Sequence, residues 1–166
     1  LLHNPQKGRA LIEELGRAAR LGLASGLPAR VIPLEVWHSA SVGIDLWLTL
    51  LVSGARQIMV LCTDDDAPAY VQALNEQAEL VRELLTGLGD EGRGISVLRA
   101  HGGLDLEAEV QAALWATAAT ALPVATMTYT GDKRSQLDLA LAHFITHAPA
   151  LRASEPPTAI ALPAAG

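Results

Sequence analysis

Cys62 is the residue of this sequence with the most reactive side chain, and it is the chain's only cysteine. It ends a short apolar run, Gln57–Cys62, that predicts a buried strand. A thiol there acts as a nucleophile only where a base and an orienting group converge on it, and His38 is the best candidate base. The alternative is a small buried hydrophobic residue. An iron–sulfur cluster usually needs four thiolates, so we expect this chain to hold no cluster by itself.

Two other groups of residues have a spacing that could bind a ligand. The first group is Gly131, Lys133 and Arg134, a flexible residue and two cations at a predicted helix start. This group could hold a carboxylate, a phosphate or an acidic partner surface. The alternative is a solvated basic pair beside a helix cap. His143 and His147 stand four residues apart, as in half of a metal site. The alternative is that they lie at a helix C-terminus, where their partial positive charge interacts favourably with the negative end of the helix dipole.

An acidic triplet, Asp64, Asp65 and Asp66, follows Cys62. Three carboxylates would repel phosphate at a place where nucleotide-binding folds use glycines and free amides. Gly-Lys-Ser/Thr does not occur in the sequence, and Gly-x-Gly-x-x-Gly occurs at 87–92, where it ends the predicted long helix instead of joining a strand to a helix, so we expect no dinucleotide or triphosphate site. The triplet is expected to cap the helix that follows it and to complement the positive end of that helix.

The pattern of apolar residues indicates strands and helices in alternation. We predict strands at 1–3, 29–37, 57–62, 95–99 and 123–130. Predicted helices start at Pro5 capped by Asn4, after a cap at Ser39 or Ser41, near 68, at 104 and at 135. The fourth of these helices extends to about 120, and the fifth to 147. This order predicts a three-layer α/β fold of the Rossmann or flavodoxin type, with about five mostly parallel strands and helices on both faces.

The predicted domain spans 1–148, and its ligand site would lie beyond the carboxyl ends of the strands. Trp37, His38, Asp45 and Cys62 are the candidate cleft residues there, for a flavin, an anion or an enzyme substrate. The proline-rich segment 149–166 is expected to be an exit linker that could also add an edge strand.

Bulk composition limits the range of partners. The net charge is −6, and Lys133–Arg134 is the only basic cluster, so we expect no nucleic-acid or anionic-membrane partner. The most apolar stretch, 42–61, is interrupted by polar residues, and the start of the chain has no leader pattern, so we expect neither membrane insertion nor a signal peptide. A single cysteine allows no internal disulfide, which favours a reducing, cytoplasmic location.

Most of the chain resembles the delta-subunit domain of methyl-viologen-reducing hydrogenases. Three runs carry the resemblance, RVIPLEV at 30–36, SVGIDLWL at 41–48 and GARQIMVLC at 54–62. It continues in the long helix at Asn75, Glu79, Arg82, Leu85 and Gly89. The similarity is greater to a cluster-free form of that domain embedded in multidomain bacterial 4Fe–4S ferredoxin-like proteins, through GDKR at 131–134 and IALPA at 160–164.

The resemblance implies a function, and the departures from it modify that function. Delta subunits hold an iron–sulfur cluster on cysteines after their second and third strands, where this chain has Trp37-His38 and a lone Cys62 followed by aspartates. The resemblance therefore implies a lost cluster site with Cys62 as a remnant ligand. We expect a non-catalytic structural or docking domain of an electron-transfer protein, with 4Fe–4S clusters on ferredoxin modules of the same polypeptide and a separate redox partner protein. The alternative is a flavin-binding, anion-binding or enzymatic domain.

Overall fold

The computed structural model describes residues 1–90, 92–115, 123–126 and 132–148 of the chain. Strands and helices alternate along most of this part. In chain order, the elements are β1 (Leu2–His3), α1 (Lys7–Arg20), β2 (Leu34–Glu35), a 3-10 helix (Ser39–Ser41), α2 (Ile44–Val52), β3 (Gln57–Cys62), α3 (Pro68–Gly87), β4 (Gly94–Arg99), α4 (Gly103–Trp115) and α5 (Lys133–His147).

The four strands form one parallel sheet in the order β2-β1-β3-β4. Leu2 of β1 is in register with Leu34 of β2 and with Val60 of β3. All residues of β3 except Gln57 are buried, and its bounds are those that the apolar run predicts. The predicted three-layer α/β fold is confirmed.

The prediction of about five strands is corrected to four among the described residues. The predicted strand that the described residues do not show is the one at 123–130. Residues 123–126 are described and are not in a strand, and residues 127–130 lie outside the described part. An apolar run alone does not make a strand, because its backbone also needs a neighbour to pair with. Gly131 and the predicted linker 149–166 also lie outside the described residues.

The chain divides into two compact units, and the first comprises Leu1–Val42, Met59–Asn75 and Ser96–Ala116. Its core is aliphatic, and α1 packs against α4. The buried members of this core are Leu1, Leu11, Leu15, Val31, Met59, Leu61, Leu98, Ala100, Leu106 and Val110. The two helices approach closely at Gly103, where a Cβ atom would lie 2.7 Å from the backbone nitrogen of Leu15. Glycine is therefore required at this contact.

The second unit comprises Gly43–Ile58, Glu76–Ile95 and Thr117–Gly166, and in it α2 packs against α5. Trp47 of α2 and Phe144 of α5 are its largest fully buried side chains. Asp90 and Arg93 form a buried ion pair with 3.0 Å between Oδ2 and Nε, and Arg93 also donates to the Leu51 carbonyl at 3.2 Å. Burial raises the pKa of Asp90 and lowers that of Arg93, against the mutual attraction of the two charges.

The ends of two elements differ from prediction for local reasons. Helix α1 begins at Lys7 rather than at Pro5, and its N-cap is Gln6 rather than the predicted Asn4. Asn4 still contacts the start of the helix, because its Oδ1 accepts hydrogen bonds from the amides of Gln6 and Gly8. Strand β2 has two residues, whereas 29–37 is predicted. Pro33 lies between residues that bond to β1, so its missing N–H falls on the open edge, where no donor is needed.

The next helices also start at other residues than predicted. Ser39 and Ser41 lie in the 3-10 helix, and α2 begins after Gly43. Helix α4 begins at Gly103, and residues 116–120 of its predicted range lie outside the described part. Helix α5 begins at Lys133 instead of Ser135 because Asp132 supplies the cap. None of the helices in the described ranges is both long and apolar enough to span a membrane.

Candidate functional site

The carboxyl ends of the strands in the first unit are joined by the acidic triplet. Each aspartate contacts a residue that follows a different neighbouring strand. Asp64 Oδ1 lies 2.6 Å from Nδ1 of His101, which follows β4, and Asp65 Oδ1 lies 3.3 Å from Nζ of Lys7, which follows β1. Asp66 accepts a hydrogen bond from the hydroxyl of Ser39, which follows β2. We call these six residues the acidic network.

Asp66 is the central member of the acidic network. It is 4% exposed, and its Oδ2 accepts hydrogen bonds from the Thr63 amide at 2.7 Å and the Thr63 hydroxyl at 3.2 Å. Asp64 and Asp65 are exposed, so their pairs contribute at most about 1 kcal/mol each. A buried carboxylate with several donors contributes more, because hydrogen bonds to a charged group are stronger than neutral ones.

The hydrogen-bond partners of the triplet differ from those of a helix cap. The sequence predicts that the triplet caps α3, but the hydrogen bonds of its carboxylates go to residues that follow β1, β2, β3 and β4. The loop that follows β3 is held to the loops after the other three strands. The sequence shows the three carboxylates, but their partners other than Thr63 are 27 to 58 residues away along the chain and cannot be read from it.

Cys62 is fully buried at the end of β3. The pKa of its thiol is raised to about 11, first by burial and then by the nearby charge of Asp66, while Arg99 opposes the shift. The thiolate is the nucleophilic and metal-binding form, so the side chain is a poor nucleophile and ligand at neutral pH. Its environment is that of a small core residue.

The other candidate cleft residues are placed as follows. His38 is half-buried, its Nδ1 accepts a hydrogen bond from the Ala40 amide, and its ring packs edge-to-face on Tyr70 at 5.8 Å. In the described part of the chain it makes no hydrogen bond with Cys62. Trp37 is 85% exposed. Asp45 belongs to the second unit. The nucleophile and base suggested by the sequence are therefore not joined.

The residues at this position do not fit an iron–sulfur cluster. The chain has a single cysteine, and its thiol is buried and protonated. The adjacent carboxylates are bound to Lys7, Ser39, Thr63 and His101. No group of three or more His, Cys, Asp or Glu side chains within the described ranges is placed to hold a metal ion.

A second feature is an open cleft of about 420 Å³ in the second unit. It is lined by Ile44, Asp45, Gln77, Lys133, Arg134 and Leu137. The structure thus places the candidate cleft residue Asp45 beside the candidate anion-binding pair Lys133 and Arg134. Gln77 was not identified from the sequence, where a glutamine on a long helix carries no distinguishing signal.

The amides at the start of α5 are already occupied. Asp132 Oδ1 accepts hydrogen bonds from the amides of Arg134 and Ser135 at 2.9 and 3.0 Å. The Ser135 amide is the main cause of the lowered pKa of Asp132. The helix terminus is therefore satisfied by its own carboxylate, and anion binding here would depend on the side chains of Lys133 and Arg134.

His143 and His147 share one face of α5, with ring centroids 4.3 Å apart. His143 Nε2 lies 2.9 Å from the Pro123 carbonyl, and His147 Nδ1 lies 2.9 Å from the His143 carbonyl. A ring nitrogen that contacts a carbonyl carries its proton, so one nitrogen of each ring is unable to bind a metal in this arrangement.

Comparisons with known proteins identify no relative of this chain. No family model matches the sequence, and neither the curated proteins nor the solved structures include a significant match.

Proposed function

We propose that this chain is a non-catalytic structural and docking domain of a multidomain 4Fe–4S ferredoxin-type electron-transfer protein. The observation that supports this proposal is the acidic network. In the family that the sequence resembles, a cluster lies at the carboxyl ends of the strands. Here the same end holds carboxylates already bound to their partners and a buried thiol.

The acidic network has the role that a cluster would otherwise have, that of connecting neighbouring loops. Asp66 joins the loops after β2 and β3 through buried hydrogen bonds, and Asp64 and Asp65 add contacts to the loops after β4 and β1. Because these loops are held together, the arrangement supports a rigid scaffold. Under this proposal the chain itself carries no cofactor, and the 4Fe–4S clusters belong to ferredoxin modules of the same cytoplasmic polypeptide.

Trp37 is the best candidate for a docking contact. Its side chain is 85% exposed in the loop after β2, and Tyr70, at the start of α3, is 51% exposed. Tryptophan and tyrosine are enriched among the residues that contribute most to protein interfaces. We assign the ferredoxin module as the occupant of this surface, with no nucleic acid and no membrane among the partners.

The docking role can be tested by titrating the isotope-labelled chain with a bacterial 4Fe–4S ferredoxin and following amide and indole NMR signals. We expect the Trp37 indole signal to shift and that of buried Trp47 to stay in place. Trp37→Ala should weaken binding at least about tenfold, as expected of a central interface residue. Leu104→Ala removes another exposed apolar side chain, 56% exposed on α4, and should leave binding unchanged.

Two outcomes would contradict the proposed function. One is the absence of any signal change at millimolar ferredoxin, or equal binding by the Trp37→Ala and wild-type chains. The other is uptake of stoichiometric iron and sulfide after anaerobic reconstitution, seen by metal analysis and visible absorption, because the proposal requires clusters on other modules.

A further inference from the structure

We infer that the cleft of the second unit binds a small zwitterion, a molecule with a carboxylate at one end, an ammonium group at the other and an aliphatic chain between them. This site is separate from the proposed docking role and does not depend on it. It rests on the side chains that α2, α3 and α5 bring to one cleft.

The first argument concerns the two cations. Lys133 and Arg134 occupy the first turn of α5, where positive charge opposes the helix dipole. Within the described residues, neither side chain forms a hydrogen bond or an ion pair, whereas Lys7, Arg9 and Arg82 each pair with a carboxylate. Two adjacent cations in an unfavourable position, both lining a cleft, provide the charge for a ligand carboxylate.

The second argument concerns the opposite charge. Asp45 lines the same cleft from α2, and Gln77 lines it from α3. In the described part of the chain, neither side chain makes a hydrogen bond or an ion pair. A simple anion would be repelled by the carboxylate of Asp45, whereas an ammonium group would be attracted to it. The cleft therefore presents both charges, on different helices.

The third argument concerns size and the remaining walls. Ile44 and Leu137 are the apolar lining residues, which suit methylene groups between the two charged ends. The volume of about 420 Å³ falls at the lower end of the range of small-molecule sites. A short ω-amino acid matches this combination of two cations, one carboxylate and an aliphatic wall.

Three probes of similar length separate the contributions of the two charges: 5-aminovalerate carries both, valerate only the carboxylate and pentylamine only the ammonium group. Binding to the full chain is measured by amide NMR titration at low salt, where screening is weak. We expect saturable shifts of the amides around Asp45 and Lys133 with 5-aminovalerate, and at least about threefold weaker binding of each single-charge probe, equivalent to a modest exposed ion pair.

Matched variants test which residues are responsible. Lys133→Ala with Arg134→Ala should weaken 5-aminovalerate binding at least about tenfold, the order expected for losing two charge contacts. Arg17→Ala with Arg20→Ala removes two exposed cations of α1 and should leave binding unchanged. Asp45→Asn should abolish the preference for 5-aminovalerate over valerate. The amide spectrum of each variant verifies its fold.

The inference would be overturned by any of three results. These are no saturable shift with 5-aminovalerate at millimolar concentration, equal binding of valerate and 5-aminovalerate by the wild-type chain, or equal losses in the α5 and α1 double variants. A normal ferredoxin titration alongside any of these results would refute the zwitterion site and leave the docking proposal standing.

Discussion

The reactivity of Cys62 gives a direct test of whether its thiol can act as a nucleophile or a metal ligand. Its pKa is raised from an ordinary value of 9.0 to about 11. At pH 7, the thiolate fraction is then about one in ten thousand, against about one in a hundred for an unperturbed thiol. The raised pKa alone should slow alkylation of the thiol about a hundredfold. Complete burial slows it further, since the thiol must first be exposed by local opening.

The measurement is the rate of iodoacetamide modification at pH 7, followed by mass spectrometry for the folded and the denatured chain. We expect the folded rate to be at least about a hundredfold lower. Ala10→Cys in a Cys62→Ala background places a thiol at an exposed position of α1 and should react at nearly the denatured rate. A folded Cys62 rate within tenfold of that control would refute our description of Cys62 and restore the nucleophile interpretation.

The same shift predicts how stability depends on pH. Because the folded state holds the Cys62 proton more tightly than the unfolded state, this group leaves stability unchanged well below pH 9. It lowers stability as the pH rises from about 9 to about 11. Cys62→Ala should flatten the alkaline part of the stability profile measured by urea unfolding. An identical slope in both proteins would contradict the assignment.

The remaining predictions concern the scaffold and are tested by urea unfolding. Arg93→Met alone should cost about 3–5 kcal/mol because it leaves Asp90 buried without its counter-charge, whereas adding Asp90→Leu should recover much of this loss. Purely additive costs in the double variant would show that the pair is not coupled. Gly103→Ala should cost about 1–3 kcal/mol because its methyl group meets the backbone of α1, whereas Gly16→Ala, with no atom within 4 Å, should stabilise by about 0.5–1 kcal/mol. Equal effects of the two glycine changes would refute the close approach of α1 and α4.

The parts of the fold that follow from the sequence are those set by local patterns. Strand β3 has the predicted bounds because an apolar run of six residues that ends in a turn has few alternatives. The 3-10 helix at 39–41 does not follow from its local pattern, since Ser39 has the side chain of a helix cap but donates its hydroxyl to Asp66 instead. A choice between a local and a distant acceptor is made by tertiary structure, which the spacing of residues does not contain.

The same limit applies to the two candidate sites. The sequence identifies Asp45 and the pair Lys133 and Arg134 as separate candidates, 88 and 89 residues apart. Their shared cleft depends on the packing of α2 against α5, which both helices achieve through buried side chains such as Trp47 and Phe144. The type of each residue shows which charge it carries. Which charges share one cleft, and so which ligand the cleft could bind, depends on how the helices pack.

Adding cysteines alone would not create a cluster site in this chain. Replacing Asp66 would leave the Ser39 hydroxyl and the Thr63 amide without their acceptor in a buried position, at a cost of about 1–3 kcal/mol for each unsatisfied group. Iron binding would have to exceed that cost and also ionise Cys62, whose burial favours the protonated thiol. A cluster and the acidic network are therefore mutually exclusive here, because the network needs Asp66 as a buried acceptor and leaves Cys62 protonated.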